Sequence, residues 1–235
     1  MKILGLSDLH GYRPATDLWP AADVAVIAGD IVPATAQYHG TSATGRMRQA
    51  EWMKNEFIPW LSTIPVKHVV MTWGNHDWCA DQPGGSLIPD SWWPEHCHML
   101  VNRGITIDGV HFYGVPQTPR FYDWAFNEDD NERSLGLRWD AVDPETDVLI
   151  SHGPPFGAVD WVGTRSKGER VGSVTLRRWL EAEEQRRPSV VVCGHIHEAG
   201  GMRGCVNNTS IVNVALVDER YKLCRTPMVI EVHAR

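Results

Sequence analysis

The chain has 235 residues, 43% hydrophobic and 22% charged, which is the balance of a soluble globular protein with enough chain for a sizeable core. A formal net charge of −7 argues against binding long nucleic acid through a basic surface, although bound cations can reverse the sign locally for a phosphate substrate. No apolar run approaches the ~20 residues of a membrane span, and the five cysteines contain no CxxC pair, which points to reduced thiols and a cytoplasmic setting.

Lys2–Leu6 opens the chain as an apolar run too short for a secretory leader; it reads as a first strand and leads into Ser7, Asp8, Leu9 and His10. Val24–Ala28 reads as a second strand, followed by Gly29 and Asp30. Between Gly45 and Ile64, the residues Met53, Phe57, Trp60, Leu61 and Ile64 recur at helical spacing, and Pro59 is expected to kink or restart that helix. Val66–Met71 is a strand that runs into "TWGNHDW". The stretches 81–89 and 116–143 read as long irregular loops on either side of a strand at Val110–Val115. Val148–Ile150 leads into Ser151, His152 and Gly153. A helix is expected over 173–186, with Ser173 as its cap, Leu176, Trp179 and Leu180 as its stripe, and Pro188 as its stop. Val190–Val192 leads into Gly194, His195, Ile196 and His197, and further strands are expected at 211–214 and 228–232. Continuously apolar strands interleaved with helices predict an α/β fold, and with no repeat or linker in view, one domain over 1–235.

Five of these strands are followed directly by residues that can hold a metal. In α/β sheets ligands bind outside the carboxyl ends of strands, so the residues are expected to converge there. Asp8 and His10, two apart in an extended segment, point the same way, and so do His195 and His197. Carboxylate and amide oxygens with neutral imidazoles suit Mn, Fe, Zn or Ni. An aspartate can bridge two ions, and a pair ~3.5–4 Å apart clamps the attacking and leaving oxygens of a phosphoryl transfer and lowers the pKa of a bound water. Glycines 29, 74, 153 and 194 are expected to turn the backbone tightly beside the ions.

Taken singly, the pieces carry little. Asp-x-His, Gly-Asp and His-x-His recur by chance, and His96–Cys97–His98 is a decoy that reads as loop. His39, His68, His111 and His233 read as ordinary surface or core histidines. The tetrapeptide Gly74–Asn75–His76–Asp77 is far rarer, and the ordered set after successive strands carries the signal. Trp124, Phe126, Phe156 and Trp161 read as rim packing or as platforms for a nucleobase; Arg103, Arg120, Arg165, Lys167 and Arg170 are candidate phosphate contacts.

The motifs Asp8–Leu9–His10, Gly29–Asp30, Gly74–Asn75–His76–Asp77, His152 and Gly194–His195–Ile196–His197 resemble those of the calcineurin-like metallophosphoesterase superfamily. The blocks "GVPQTPRFYDWAFN", "DVLISHGPP" and "GHIHEAGG" are similar to its metallophosphoesterase-domain-containing, class III cyclic-nucleotide-phosphodiesterase-like subfamily, over nearly the whole chain. The resemblance implies a four-layer α/β/β/α sandwich of two mixed sheets flanked by helices. It implies Asp8, His10, Asp30 and His197 around one divalent ion and Asp30, Asn75, His152 and His195 around the other, with Mn the leading metal and Fe, Zn or Ni as alternatives. Some animal members have glycine at the first histidine of the last motif, where this chain keeps His195. It also implies His76 as the group that protonates or stabilises the leaving oxygen. One departure stands out. The Asp-Arg-Gly that follows Gly-Asp in the protein phosphatases of the superfamily is absent after Gly29–Asp30, which counts against a phosphoprotein substrate. It also removes the carboxylate that orients the catalytic histidine there, so whether Asp77 or a backbone carbonyl orients His76 is open.

The function expected is metal-dependent hydrolysis of phosphodiesters, small or cyclic nucleotides first and phosphomonoesters second, by attack of a metal-bridging hydroxide. The substrate partner is then a small phosphoester, with no membrane and no long nucleic acid. The alternatives are a nuclease or phosphatase acting on DNA or RNA ends, and a non-catalytic metal-bound interaction module.

Overall fold

The alternation of side chains along short Val- and Ile-rich strands decides the architecture. In the computed structural model, which describes residues 1–164, 166–182 and 187–233, one sheet has the strand order Met228–Glu231, Lys2–Leu6, Val24–Ala28, His68–Thr72, Cys97–Met99. The other has the order Arg203–Val206, Thr209–Asn213, Val190–Cys193, Val148–Ser151, Val110–Val115, Arg103–Ile107. Ile3, Val24, Val26 and Val70 of the first sheet pack on Phe112, Val148, Ile150, Val192 and Val212 of the second. The alternate residues Leu4, Leu6, Ile27 and Met71 face outward onto Met53, Phe57 and Leu61. On the far side Val115, Leu149 and Val191 meet Leu135, Trp139, Leu176 and Leu180. Both faces of the strands are therefore covered, and each fully buried aliphatic side chain contributes roughly 1.5–3 kcal/mol. The result is the expected α/β/β/α sandwich of two mixed sheets.

Within each sheet the central strands are parallel, with Ile3 beside Val24 and Val24 beside His68 in the first, and Val148 beside both Phe112 and Val190 in the second. Their carboxyl ends consequently share one edge of the sandwich. A backbone hydrogen bond of 3.0 Å from Leu216 N–H to the Ser7 carbonyl ties the two sheets there. Gly5 marks their close approach, since a Cβ on it would lie 2.8 Å from Cγ1 of Val214.

The helix expected over 45–64 begins earlier, at Ala43–Trp52, because the Ser42 hydroxyl accepts the Gly45 N–H at 3.0 Å and caps it. It widens into a π turn at Met53–Phe57 just ahead of Pro59 and finishes as Ile58–Leu61. Pro59 has no N–H to give to the preceding turn, and the widened turn accommodates it without ending the helix. Ser173 caps its helix as expected, which runs Val174–Glu181; positions 183–186 lie outside the described residues. The stretch 116–143 is not wholly irregular, for Leu135–Asp140 is helical and buries Leu135 and Trp139. The decoy His96–Cys97–His98 is corrected too: Cys97–Met99 is a strand paired in parallel with Val69–Met71, and His98 stacks on His68 of the neighbouring strand. No helix among the described residues is long and apolar enough to cross a membrane.

Candidate metal centre

The loops that leave the parallel strands are zipped together beyond the sheet. Asp8 N–H donates to the Gly29 carbonyl and His10 N–H to the Asp30 carbonyl, both at 3.0 Å. Asp8, His10 and Asp30 adopt left-handed backbone at φ 53°, 42° and 53°, and His195 does so at 66°. For side chains with a Cβ this costs roughly 1–3 kcal/mol apiece, a strain typical of functional sites. The expectation that Asp8–His10 and His195–His197 are extended pairs is therefore wrong in detail; they converge because the loops are coiled and cross-linked.

The expected residues come together in three mutually close groups: Asp8, His10 and His197; His10, Asp30 and His76; and Asp30, His152 and His195. His197 Nε2 lies 3.2 Å from Asp8 Oδ1 and 3.2 Å from His10 Nε2. Asp30 divides its oxygens, Oδ2 lying 3.6 Å from His10 Nε2 and Oδ1 3.3 Å from His152 Nε2. Asn75 Oδ1 is 3.0 Å from the same His152 nitrogen. His76 Nε2 is 3.9 Å from Asp30 Oδ2 and stands at the mouth of the site.

Glycine here makes room more than it makes turns. A Cβ on Gly74 would sit 2.3 Å from Asp30 Oδ1, and one on Gly194 would sit 2.2 Å from Asp8 Oδ2. Gly29 alone of the expected four has positive φ, at 93°, and around Gly153 a Cβ would meet nothing nearer than Thr118 Cγ2 at 3.1 Å. The turning role assigned to Gly74, Gly153 and Gly194 is thus corrected.

Burial and mutual charge set the protonation pattern. Burial pulls His10 and His195 down to about 3, so both are neutral and present lone pairs. Burial is the largest single influence on His152 and acts in the same direction, but the charge and hydrogen bond of Asp30, with Asp8 and the Ala28 carbonyl, together outweigh it and lift the imidazole to about 9. His197 is raised against its burial by its hydrogen bond to Asp8. Asp8 and Asp30 stay below their ordinary range despite burial, because His197 and His152 respectively face them.

The placement of ring hydrogens shows that this donor set fits a cation. His152 Nδ1 is 2.7 Å from the Ala28 carbonyl and His197 Nδ1 is 3.1 Å from the Asp218 carbonyl, so each Nδ1 carries the hydrogen. The Nε2 lone pairs then face Asn75, Asp30 and Asp8 oxygens, which are acceptors only. Lone pairs pointed at lone pairs demand either a proton or a metal ion between them, and carbonyl partners on the far ring nitrogen are the usual support of a metal-binding histidine. Asp8, His10, Asp30, Asn75, His152, His195 and His197 therefore could hold divalent ions.

Two supporting residues are wholly or partly hidden in the sequence. Asp77 is fully buried, and its carboxylate accepts from Ile31 N–H at 2.9 Å, Val32 N–H at 3.1 Å and Gly74 N–H at 2.8 Å. It clamps the Gly29–Asp30 loop to the Gly74–Asn75 loop and does not face His76. Gln49, buried in the first helix, donates to the carbonyls of Tyr38 and His76 and accepts the Cys79 N–H. Its signal in sequence is faint, a glutamine on the inner face of an otherwise polar helix. Of the loop aromatics, Trp124 packs on His76 with centroids 4.3 Å apart, Phe126 belongs to the outer core, and Phe156 and Trp161 are half-exposed. Arg120 pairs with Asp129, Arg170 with Asp160, and Arg103 with the Met99 carbonyl, so these cations are engaged within the protein; Lys167 is exposed, and Arg165 lies outside the described residues.

The profile of the calcineurin-like phosphoesterases matches residues 1–199. Human and mouse metallophosphoesterase domain-containing protein 1 are each 31% identical over 251 residues, covering 98% of this chain and 71% of theirs. A Caenorhabditis elegans protein is 26% identical over 250 residues, covering 99% of this chain and 75% of its own.

Proposed function

The chain belongs to the calcineurin-like phosphoesterase family, whose members are metal-dependent phosphoester hydrolases, and from that membership we propose that it is a two-metal phosphodiesterase of small nucleotides, cyclic ones included, with phosphomonoesters as a second class. The observation that supports this most is the division of Asp30, one oxygen toward His10 and the other toward His152. A single carboxylate placed so could serve two ions at once. Asp8, His10, Asp30 and His197 would hold one, and Asp30, Asn75, His152 and His195 the other, with Mn first and Fe, Zn or Ni as alternatives. When bound, the ions supply a water of lowered pKa and neutralise charge on the phosphoryl oxygens.

The chain's own residues do the rest. Asn75 contributes an oxygen without adding charge to a site that already contains Asp8 and Asp30. His195 N–H donates to both oxygens of Asp8 at 3.1 and 3.0 Å, and His76 N–H donates to Asp30 Oδ1 at 2.8 Å, which fixes both carboxylates before substrate arrives. Burial pulls the His76 imidazole below its ordinary range against the charge of Asp30, so the ring gives a proton to the leaving oxygen from the imidazolium form that an adjacent anionic phosphate would favour. Beside it lies a cavity of about 150 Å³ whose lining includes Tyr38, His39, Trp78, Trp124 and Tyr221. That is smaller than a typical drug-sized pocket and has room for one ring system.

The test is a panel of Mn²⁺-supported rates on bis-p-nitrophenyl phosphate, p-nitrophenyl phosphate, 2′,3′- and 3′,5′-cyclic AMP and a 5′-phosphorylated single-stranded oligonucleotide. Turnover of the diester and of a cyclic nucleotide is expected. Exclusive action on the oligonucleotide would make the protein a nuclease or end-processing phosphatase, and no turnover with two ions bound would make it a binding module.

A further inference from the structure

We propose that His76 is held in its working orientation by the rings of Trp124 and Tyr221 and not by a carboxylate; the inference rests on the reading of His76 as proton donor. The neighbouring Asp77 has both oxygens engaged with backbone N–H groups of Ile31, Val32 and Gly74. Asp30 Oδ2 is 3.9 Å from His76 Nε2, beyond hydrogen-bond reach. The His76 backbone is pinned at both ends, its N–H on Asp30 and its carbonyl on the Gln49 amide at 3.0 Å. That leaves the side-chain torsions, and these are bounded by rings. Trp124 lies against the imidazole at 4.3 Å and 44°, His10 meets it edge-on at 4.8 Å and 84°, and Tyr221 stands at 5.9 Å and 68°.

Both rings are mounted on backbone tied to the ligand-bearing segments. The Trp124 loop is anchored by Ala125 N–H on the Asn75 carbonyl at 3.2 Å and by Phe126 N–H on Asp81 at 2.6 Å. Tyr221 sits at φ 58° in a tight turn where the Asp218 carbonyl accepts both the Tyr221 N–H and Nδ1 of His197. The Asp218 side chain closes the turn by accepting from Arg220 and Lys222 N–H. Edge and tilted aromatic contacts at these separations are attractive beyond the area they bury, which biases a ring between rotamers. The proton that His76 Nε2 gives up goes to the oxygen released as the P–O bond breaks, leaving neutral imidazole, so a displaced ring matters most for the poorest leaving groups.

The experiment uses methyl aryl phosphates graded from p-nitrophenol to unsubstituted phenol as leaving group, with the Mn²⁺-loaded wild type, Trp124→Leu, Tyr221→Leu, Trp124→Phe and His76→Gln. Trp124→Leu and Tyr221→Leu are expected to lose kcat by less than about threefold with p-nitrophenol and by about tenfold or more with phenol, within the range of a general acid. Trp124→Phe, which restores a ring against the imidazole, is expected to recover most of the kcat on the phenol ester that Trp124→Leu loses. Trp124→Leu added to His76→Gln produces no further loss, since the two act as one unit. In the metal-free protein, the His76 Hε1 resonance, assigned by its disappearance in His76→Gln, shifts in Trp124→Leu as the indole ring current is removed. An equal loss across the series carried by KM, or an unmoved His76 resonance, overturns the proposal and leaves the two rings with their cavity-lining role alone. A flat leaving-group dependence in His76→Gln itself overturns the proton-donor reading instead, and the inference falls with it.

Discussion

His152 turns Nε2 toward the side-chain oxygen of Asn75, 3.0 Å away, with its Nδ1 committed to the Ala28 carbonyl at 2.7 Å. The nitrogen faces acceptors, so it holds a proton until a cation replaces it. Its protonation equilibrium, lifted to about 9 chiefly by Asp30 against the pull of burial, lies above neutral pH, and that of His197 is raised too. Metal binding must expel those protons. At pH 7, Mn²⁺ binding is expected to release at least one proton per chain, and affinity is expected to climb as pH rises from 6.5 toward 9. Calorimetric titrations in two buffers of different ionisation enthalpy count the protons; a count of zero would contradict the donor assignment.

Metal removal should soften the fold. Ligands that bind the native state at a hundred times their Kd add about 2.7 kcal/mol, and a chain of this size gains about 2–4 °C per kcal/mol. Chelation is therefore expected to lower Tm by roughly 5–10 °C, with recovery on adding Mn²⁺. An unchanged Tm at saturating metal would mean that these side chains do not bind the ion.

Gly74→Ala and Gly194→Ala place a methyl 2.3 Å and 2.2 Å from the Asp30 and Asp8 carboxylates. Both should depress metal occupancy and reduce turnover by about a hundredfold or more, the scale seen when positioning fails by an ångström. Gly153→Ala, whose nearest neighbour is a methyl at 3.1 Å, should keep most of both. Metal analysis and rates on the three purified variants separate close packing from a general intolerance of glycine loops.

Asp77 is pushed up to about 7, by burial first and the Asp30 charge second. An acid raised in the folded state binds a proton that the unfolded chain releases, so its contribution to stability is greatest below the unfolded value near 4 and fades as pH rises through 7. Asn at this site has no such charge. The stability of Asp77→Asn minus that of wild type, measured by denaturant unfolding of the metal-free proteins, should rise by a few kcal/mol from pH 5 to pH 8, since each tenfold change in proton affinity is worth about 1.4 kcal/mol. Taking the difference cancels the histidines, which titrate in the same window. A difference independent of pH would show that the carboxylate is ionised throughout.

The layers and the edge that hosts the site were legible in sequence because both obey short-range rules. A Val- or Ile-rich run covered on both faces reads as an inner strand, and Asp8, Asp30, Asn75, His152 and His195 each follow such a run within a few residues. What failed needed tertiary knowledge. The left-handed backbone of Asp8 and His10 depends on hydrogen bonds to Gly29 and Asp30, some twenty residues away in sequence. Ser42 caps the first helix although the apolar spacing starts later, and Leu135–Asp140 is too short to show a period. Asp77 stood in sequence only as a candidate partner for His76, because nothing local reveals that its oxygens reach Ile31 and Val32. Gln49 and Tyr221 act through space, and no spacing rule connects either to His76.

The proposed chemistry stands on Asp30 serving two ions, and the most direct test pairs metal content with Mn²⁺-dependent hydrolysis of bis-p-nitrophenyl phosphate in wild type and Asp30→Asn. Two ions per chain and diester turnover are expected in the wild type, with both the second ion and at least about a hundredfold of the rate lost in the variant. Asp30→Asn that retains two ions and wild-type turnover would contradict the bridging role.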